Sequence, residues 1–211
     1  MWRRTFPARL LNKGHSTTVH PVELHTARLA LREFREDDCA RVLAYQRDPA
    51  YLQYYPWEDR SREDVAAFIG GFIIDQTAVP RLKYQLAIIL LSEDKLIGNC
   101  GIRIVAAAGC HRLDSIHDPQ SAEANIGFEI GPAYWGNGYA TQAAREILRF
   151  GFDELGMGRI TATCTEENEA SAAVLARIGM VHTDTVWRGE FFKARWWARE
   201  HWAIDKASWR P

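Results

Sequence analysis

"GPAYWGNGYATQAAREILRFGFDELG", residues 131–156, places Pro132, then Gly136 and Gly138 one residue apart, directly before an amphipathic segment. Ala140, Ala143, Ala144, Ile147, Leu148 and Leu155 recur at three- and four-residue steps and make one apolar face, with Gln142, Arg145, Glu146 and Arg149 lying elsewhere. This spacing predicts a helix packed on a sheet. The glycines stand at its start, where unpaired backbone N–H groups and about half a positive charge hold an anion if the chain can approach closely. Glycine permits that approach, and it equally permits a plain strand-to-helix turn that needs only positive φ.

Working outward, "NIGFEI" (125–130) alternates as a strand before the turn, and "RITATC" (159–164) reads as the strand after the helix. Asn168 then caps a helix through Val174, Leu175 and Ile178 that Gly179 can end. Further upstream, residues 28–34 alternate as a strand, and Asp37 and Asp38 offer a cap for a helix through Val42, Leu43 and Tyr45. Ser61 with Asp64 forms a capping box opening a helix through Val65, Phe68, Ile69 and Phe72. Residues 84–91 and 95–105 read as a hairpin turned at Ser92-Glu93-Asp94, residues 106–124 as an irregular surface loop, and 181–192 and 195–204 as two final β segments.

At 211 residues, 47% hydrophobic and 25% charged, the chain is expected to be globular, soluble and single-domain. No run reaches the ~18 apolar residues of a membrane helix. A net charge of −1 gives no overall field for nucleic acid or anionic lipid, so any anionic ligand must be held locally. Cys39, Cys100, Cys110 and Cys164 form no C-x-x-C pair, which suits reduced thiols in the cytoplasm and gives no cysteine metal site. Cys110, His111, His117 and Asp118 share the irregular loop, but a metal needs ligands on rigid structure, and none is expected. Residues 1–25 read as a basic arm, with Arg3, Arg4, Arg9 and Lys13 and no acid before Glu23; the same composition fits a transit peptide. Residues 26–211 form the domain.

Three phosphate-binding readings compete for the glycine turn. A Walker loop fails because no Lys-Ser or Lys-Thr follows the glycines. A dinucleotide fingerprint wants a third glycine where Thr141 stands and an acid ending the next strand, and "RITATCT" has none. The third is a resemblance. "IGFEIGPAYWGNGYATQAAREILRFGFDELGMGRITATCTEENEASAAVLARIGM" (126–180) closely resembles the acetyl-CoA-binding core of the GNAT N-acetyltransferases, particularly the RimJ/RimL-like ribosomal-protein N-terminal acetyltransferases. "TARLALREF" and "YYPW" are similar to the same group, so the likeness runs from about Thr26 to Trp209.

The resemblance implies an α+β fold: a mixed, mostly antiparallel sheet whose central strands, 125–130 and 159–165, splay to admit coenzyme A. The pantetheine arm would pair with the backbone edge of Phe128 to Ile130. The diphosphate would sit on the amides of Gly136, Asn137, Gly138, Tyr139, Ala140 and Thr141, with the Asn168 side chain contacting the coenzyme. Ala133 stands where relatives often have Gln or Arg, and Asn137 where many have a cation, which weakens the grip unless Arg145 or another cation compensates. Ser171 would protonate the departing thiolate. Glu190 falls at the position of a glutamate assigned as general base in RimL-type enzymes, and Glu129, alternating away from Phe128 and Ile130, is the competing base.

Tyr51, Tyr54, Tyr55 and Trp57 crowd a segment that borders the acceptor entrance in related enzymes, while Trp196, Trp197, Trp202 and Trp209 read as strand core. The implied activity is direct acetyl transfer from acetyl-CoA to a primary amine, best a protein N-terminal α-amine, by an enzyme that often pairs as a homodimer. A small-molecule amine acetyltransferase and a non-catalytic acetyl-CoA sensor are the alternatives.

Overall fold

The computed structural model describes residues 21–105 and 122–210. Eight strands form one sheet: β1 (Glu23–His25), β2 (Leu29–Glu33), β3 (Lys83–Leu90), β4 (Lys95–Val105), β5 (Glu123–Ile130), β6 (Arg159–Thr165), β7 (Val181–Phe192) and β8 (Arg195–Asp205). Their spatial order is β1-β2-β3-β4-β5-β6-β8-β7. The sheet begins at Glu23, inside the span expected to be arm. Glu123 and Ala124, expected in the loop, instead open β5. The cysteine and histidines of that loop, Cys110, His111 and His117, lie outside the described residues with Asp118.

Both faces of the sheet are covered. Leu29, Leu31, Leu86, Ile88 and Leu90 point into a core closed by α4 (Tyr139–Arg149) and α5 (Glu169–Arg177). Their neighbours Ala30, Ala87 and Ile89 point into a second core under α1 (Cys39–Gln46), the single turn α2 (Pro49–Leu52) and α3 (Arg62–Gln76). Two-sided burial is why 86–90 is an unbroken apolar run rather than an alternating one.

Local signals set the helix ends. Ser61 and Asp64 exchange the two bonds of the capping box, at 3.0 and 2.9 Å, and start α3. Asp38 does not cap α1 as expected: its carboxylate takes a bidentate bond from Arg32 at 2.8 and 2.7 Å and the Arg35 amide at 2.9 Å. An ion pair with the end of β2, six residues back, takes the carboxylate in place of the α1 cap. α4 ends at Arg149 and continues as a single π turn, Phe150–Glu154. The widened turn seats both Phe150 and Phe152 in the core and lays Gly151 so close to the sheet that a Cβ there would stand 2.6 Å from Ile102 and 2.7 Å from Ile160.

Every neighbouring strand pair is antiparallel except β5 with β6, which are parallel and hydrogen-bond only through Glu123↔Arg159, Ala124↔Ile160 and Asn125↔Thr161. Beyond Asn125 the two strands part, while β5 stays paired with β4 along its whole length. The parting opens a wedge at the centre of the sheet. β7 and β8 turn at Lys193 and Ala194, and this hairpin is fastened beside the wedge by the Lys193 ammonium, which donates to the Leu52 carbonyl at 2.7 Å. Trp197 and Trp209 are buried, but Trp196 is half exposed, a departure from strand core. No helix among the described residues is long and apolar enough to cross a membrane.

Candidate active site

The wedge opens into a cleft of about 990 Å³. Phe128, Glu129 and Ile130 from β5, Gly136, Gly138, Tyr139, Ala140 and Thr141 from the turn and α4, and Asn168 and Ser171 at the start of α5 all line it. These are ten of the residues the sequence singled out, and they come together. Asn137 and Glu190 are not among the lining residues. Asn137 turns its amide back onto the Tyr134 and Trp135 carbonyls, at 3.2 and 3.0 Å, and so holds the shape of the turn. Glu190, on β7, forms an ion pair with Arg199 of β8.

At one end of the cleft the chain offers backbone. Gly136 and Gly138 have φ of 77° and 75°, the left-handed region that L side chains rarely adopt. Gly138 sits at the N-cap of α4 and no side chain caps it. The first α4 bond runs from the Gln142 amide to the Gly138 carbonyl at 3.0 Å, so the amides of Tyr139, Ala140 and Thr141 precede the helical ladder. Arg28 donates to the Asn137 carbonyl at 3.0 Å and lies over the Tyr139 ring, while Arg145 and Arg177 line the cleft from α4 and α5. Arg28 and Arg177 were missed from the sequence; an arginine just ahead of a strand carries no local sign of a partner more than a hundred residues away. Asn168 accepts the Ser171 amide at 3.0 Å, which is its capping role, and this places the Ser171 side chain on the wall.

The other end is made of side chains. The Glu129 carboxylate receives five donors. To Oε1 come the Tyr45 hydroxyl at 2.6 Å, the Gln46 amide at 3.0 Å and the Asn99 amide; to Oε2 come the hydroxyls of Tyr51 at 2.6 Å and Tyr55 at 3.2 Å. A carboxylate has about four lone-pair sites, so this one is saturated. Register sets it up: Asn99 of β4 lies directly opposite Glu129, and Gln85 holds the Asn99 carbonyl oxygen at 2.6 Å. Burial first, and then the Glu129 charge, raise the Tyr45, Tyr51 and Tyr55 phenols well above their ordinary value, so all three stay protonated. Tyr51 and Tyr55 stack with centroids 4.4 Å apart, and Trp57 continues the stack at 4.8 Å. Tyr45, Gln46 and Asn99 were not picked out from the sequence. The available sign was Asn99, a polar residue inside the apolar run "LIGNCGI".

Cys100 and Cys164 do not compete as nucleophiles. Burial raises Cys100, and burial with the neighbouring Glu200 pushes Cys164 up to about 12.

A sheet whose parallel pair splays over an uncapped, glycine-led helix start is the arrangement the resemblance implies, and residues 28–181 match the acetyltransferase (GNAT) domain family. The chain belongs to that family. It is 32% identical over 194 residues to YnaD of Bacillus subtilis, described as an uncharacterized N-acetyltransferase, covering 89% of this chain and 99% of that one. A GNAT-family acetyltransferase structure from Bacillus anthracis superposes with a TM-score of 0.71 at 26% identity, covering 88% of this chain and 99% of that one. RimL, a ribosomal α-N-protein acetyltransferase in complex with coenzyme A, shares the fold at a TM-score of 0.70 and 16% identity, with 85% and 95% of the two chains covered. This GNAT chain is therefore an acetyl-transferring enzyme. Its uncapped amides, positive-φ glycines and three nearby guanidinium groups suit the diphosphate of the family's acetyl donor.

Proposed function

We propose that this acetyltransferase transfers acetyl from acetyl-CoA to the N-terminal α-amine of a protein, by direct transfer in a ternary complex, as a RimJ/RimL-like enzyme of the cytoplasm. The observation that carries the acceptor class is that both carboxylates lining the cleft are engaged: Glu129 is saturated, and Glu146 is paired with Arg149 at 2.6 Å. Glu190 would have to leave Arg199 to serve as a base. An α-amine needs little help, because its pKa of about 7.7–8.0 leaves roughly a tenth neutral at pH 7, whereas a side-chain amine at about 10.4 is almost wholly charged.

In this reading the amides from Gly136 to Thr141 hold the diphosphate, with Arg28, Arg145 and Arg177 supplying the positive charge that Ala133 and Asn137 do not. The edge of Phe128 to Ile130 aligns the pantetheine arm, and Asn168 contacts the coenzyme beside Ser171. The donor supplies an acetyl thioester. The neutral amine nitrogen bonds to the acetyl carbon and gives up its proton to water, the carbon–sulfur bond breaks, and the Ser171 hydroxyl passes a proton to the sulfur and regains one from solvent.

A second reading, a small cationic amine such as a polyamine, is favoured by one observation: among the described residues the Glu129 charge is met by neutral donors and stands among aromatic faces. The test is to incubate the chain and acetyl-CoA with a free N-terminal peptide, the same peptide N-blocked but carrying a lysine, and spermidine. The expected result is the mass gain of one acetyl group on the free N-terminal peptide alone. Acetylation of spermidine alone moves the acceptor to polyamines, and coenzyme binding without transfer to any acceptor leaves a sensor.

A further inference from the structure

We infer that Tyr51 and Tyr55 receive the acceptor nitrogen, and that Glu129 acts through them as a positioning residue rather than as the base that its place on the splayed strand suggests. The inference rests on the acetyltransferase reading of the cleft and holds for whichever primary amine is served.

Hydrogen-bond capacity is the core of the argument. A phenol has one proton to give and two lone pairs to offer. Tyr51 and Tyr55 both line the cleft, and both commit that single proton to Oε2 of Glu129. What remains on each phenol oxygen is acceptor capacity, so the pair can take only a donor. An amine presents N–H groups and fits; a carbonyl or carboxylate does not.

Tyr45 has a different place. It gives its proton to Oε1 and receives the Asn99 amide at 3.1 Å, which spends its oxygen inside the cluster. Tyr54 also lines the cleft, but its hydroxyl donates to the Glu167 carbonyl at 3.1 Å and takes no part. The stack of Tyr51, Tyr55 and Trp57 fixes the two rings and so holds both phenol oxygens within hydrogen-bond distance of Oε2. Five partners from α1, β4 and the segment after Asp48 thus meet one carboxylate, all neutral, and leave its charge unpaired behind the two phenols. That charge polarises both hydroxyls and makes their oxygens stronger acceptors for N–H.

The saturation also decides against a base. A proton abstracted from the amine needs a lone pair to land on, and Glu129 has none until one of its five donors leaves. The amine therefore reaches its neutral form by losing a proton to water, and the low-pH limb of the rate belongs to the substrate.

The test is steady-state kinetics over a pH series with Y51F, Y55F and E129Q, using both the free N-terminal peptide and spermidine as acceptors. Circular dichroism and the melting shift induced by acetyl-CoA verify that each variant folds and loads. Each tyrosine change should raise the acceptor KM roughly tenfold, the scale of one hydrogen bond to a charged group. The acetyl-CoA KM should stay within about twofold and kcat within about threefold. E129Q frees a phenol proton and should raise the acceptor KM at least as far, with the low-pH limb of kcat/KM unmoved. A general base at Glu129 predicts the opposite pattern: a fall in kcat of about a hundredfold or more and a lost limb. That pattern, or tyrosine variants with unchanged acceptor KM, overturns the inference. Turnover of spermidine but not peptide would remove the α-amine reading while leaving this one measurable on spermidine, and a wild type that acetylates neither overturns both.

Discussion

The glycine turn and the Glu129 cluster lie in one cleft, yet they are built in opposite ways. The turn offers main chain: two residues at positive φ, an uncapped helix start and amides that precede the helical ladder. The cluster offers side chains whose sequence separations from Glu129 run from 30 residues for Asn99 to 84 for Tyr45. Backbone recognition tolerates exchange of neighbouring side chains. A saturated side-chain cluster does not, because each removed donor leaves a lone pair unmet and each added donor has no place to go.

The sharpest way to break the comparison is Gly138→Val. A β-branched residue at φ 75° is strained although the space is open, the nearest atom to an added Cβ being Arg28 Nη2 at 3.7 Å. The strain costs about 1–2 kcal/mol. Relief by a backbone shift would turn at least one or two amides away from the diphosphate. Acetyl-CoA affinity measured by calorimetry should fall about a hundredfold, from the loss of one or two hydrogen bonds to a charged group. Without coenzyme, the melting temperature should drop by only about 2–8 °C. Unchanged affinity would mean that the diphosphate does not rest on this turn.

These two constructions also explain what could be read in the sequence. The turn, α4, β6 and the Asn168 cap lie within one continuous stretch, and each is set by local chemistry: glycine φ, apolar periodicity and an Asx cap. All were legible. Glu129 was visible as a polar residue alternating with Phe128 and Ile130, but its five partners were not, because the β4–β5 register and the packing of α1 on the sheet bring them in. Glu190 was placed by counting from Ser171, and counting along the chain carries no knowledge of Arg199 on the next strand. Asp38 did not cap α1 because its carboxylate is already taken by Arg32, six residues back at the end of β2, and by the Arg35 amide.

A smaller effect is expected where the two constructions meet, at Ser171, whose position comes from a local cap but whose proposed task is side-chain chemistry. Ser171→Ala keeps the amide that Asn168 holds. Coenzyme affinity should stay within about twofold, while kcat falls only about tenfold, since a thiol of pKa near 8.5 leaves without much assistance at neutral pH. Loss of coenzyme affinity instead would assign the hydroxyl to binding.

The smallest effect at neutral pH, and the one that isolates the side-chain end, is alkaline titration. The glycine pair and Asn137 between them carry no ionisable side chain. Tyr45, Tyr51 and Tyr55 have phenols raised by burial and by the Glu129 charge, so the fold prefers their neutral form over what the unfolded chain prefers. Stability from a raised phenol is fully present below the unfolded value of about 10 and is lost as pH climbs above it toward the folded one. Melting temperature should therefore be flat in this respect from neutrality to about pH 9 and fall steeply above about pH 10, with the three phenolates appearing in near-ultraviolet absorbance only as the fold is lost. In E129Q the charge that helps to raise them is gone, so the alkaline fall should soften and the mutant and wild-type curves should converge as pH rises. If the three phenols titrated smoothly near 10 with the fold intact, the carboxylate would not be holding their protons, and the asymmetry between the two ends of the cleft would disappear.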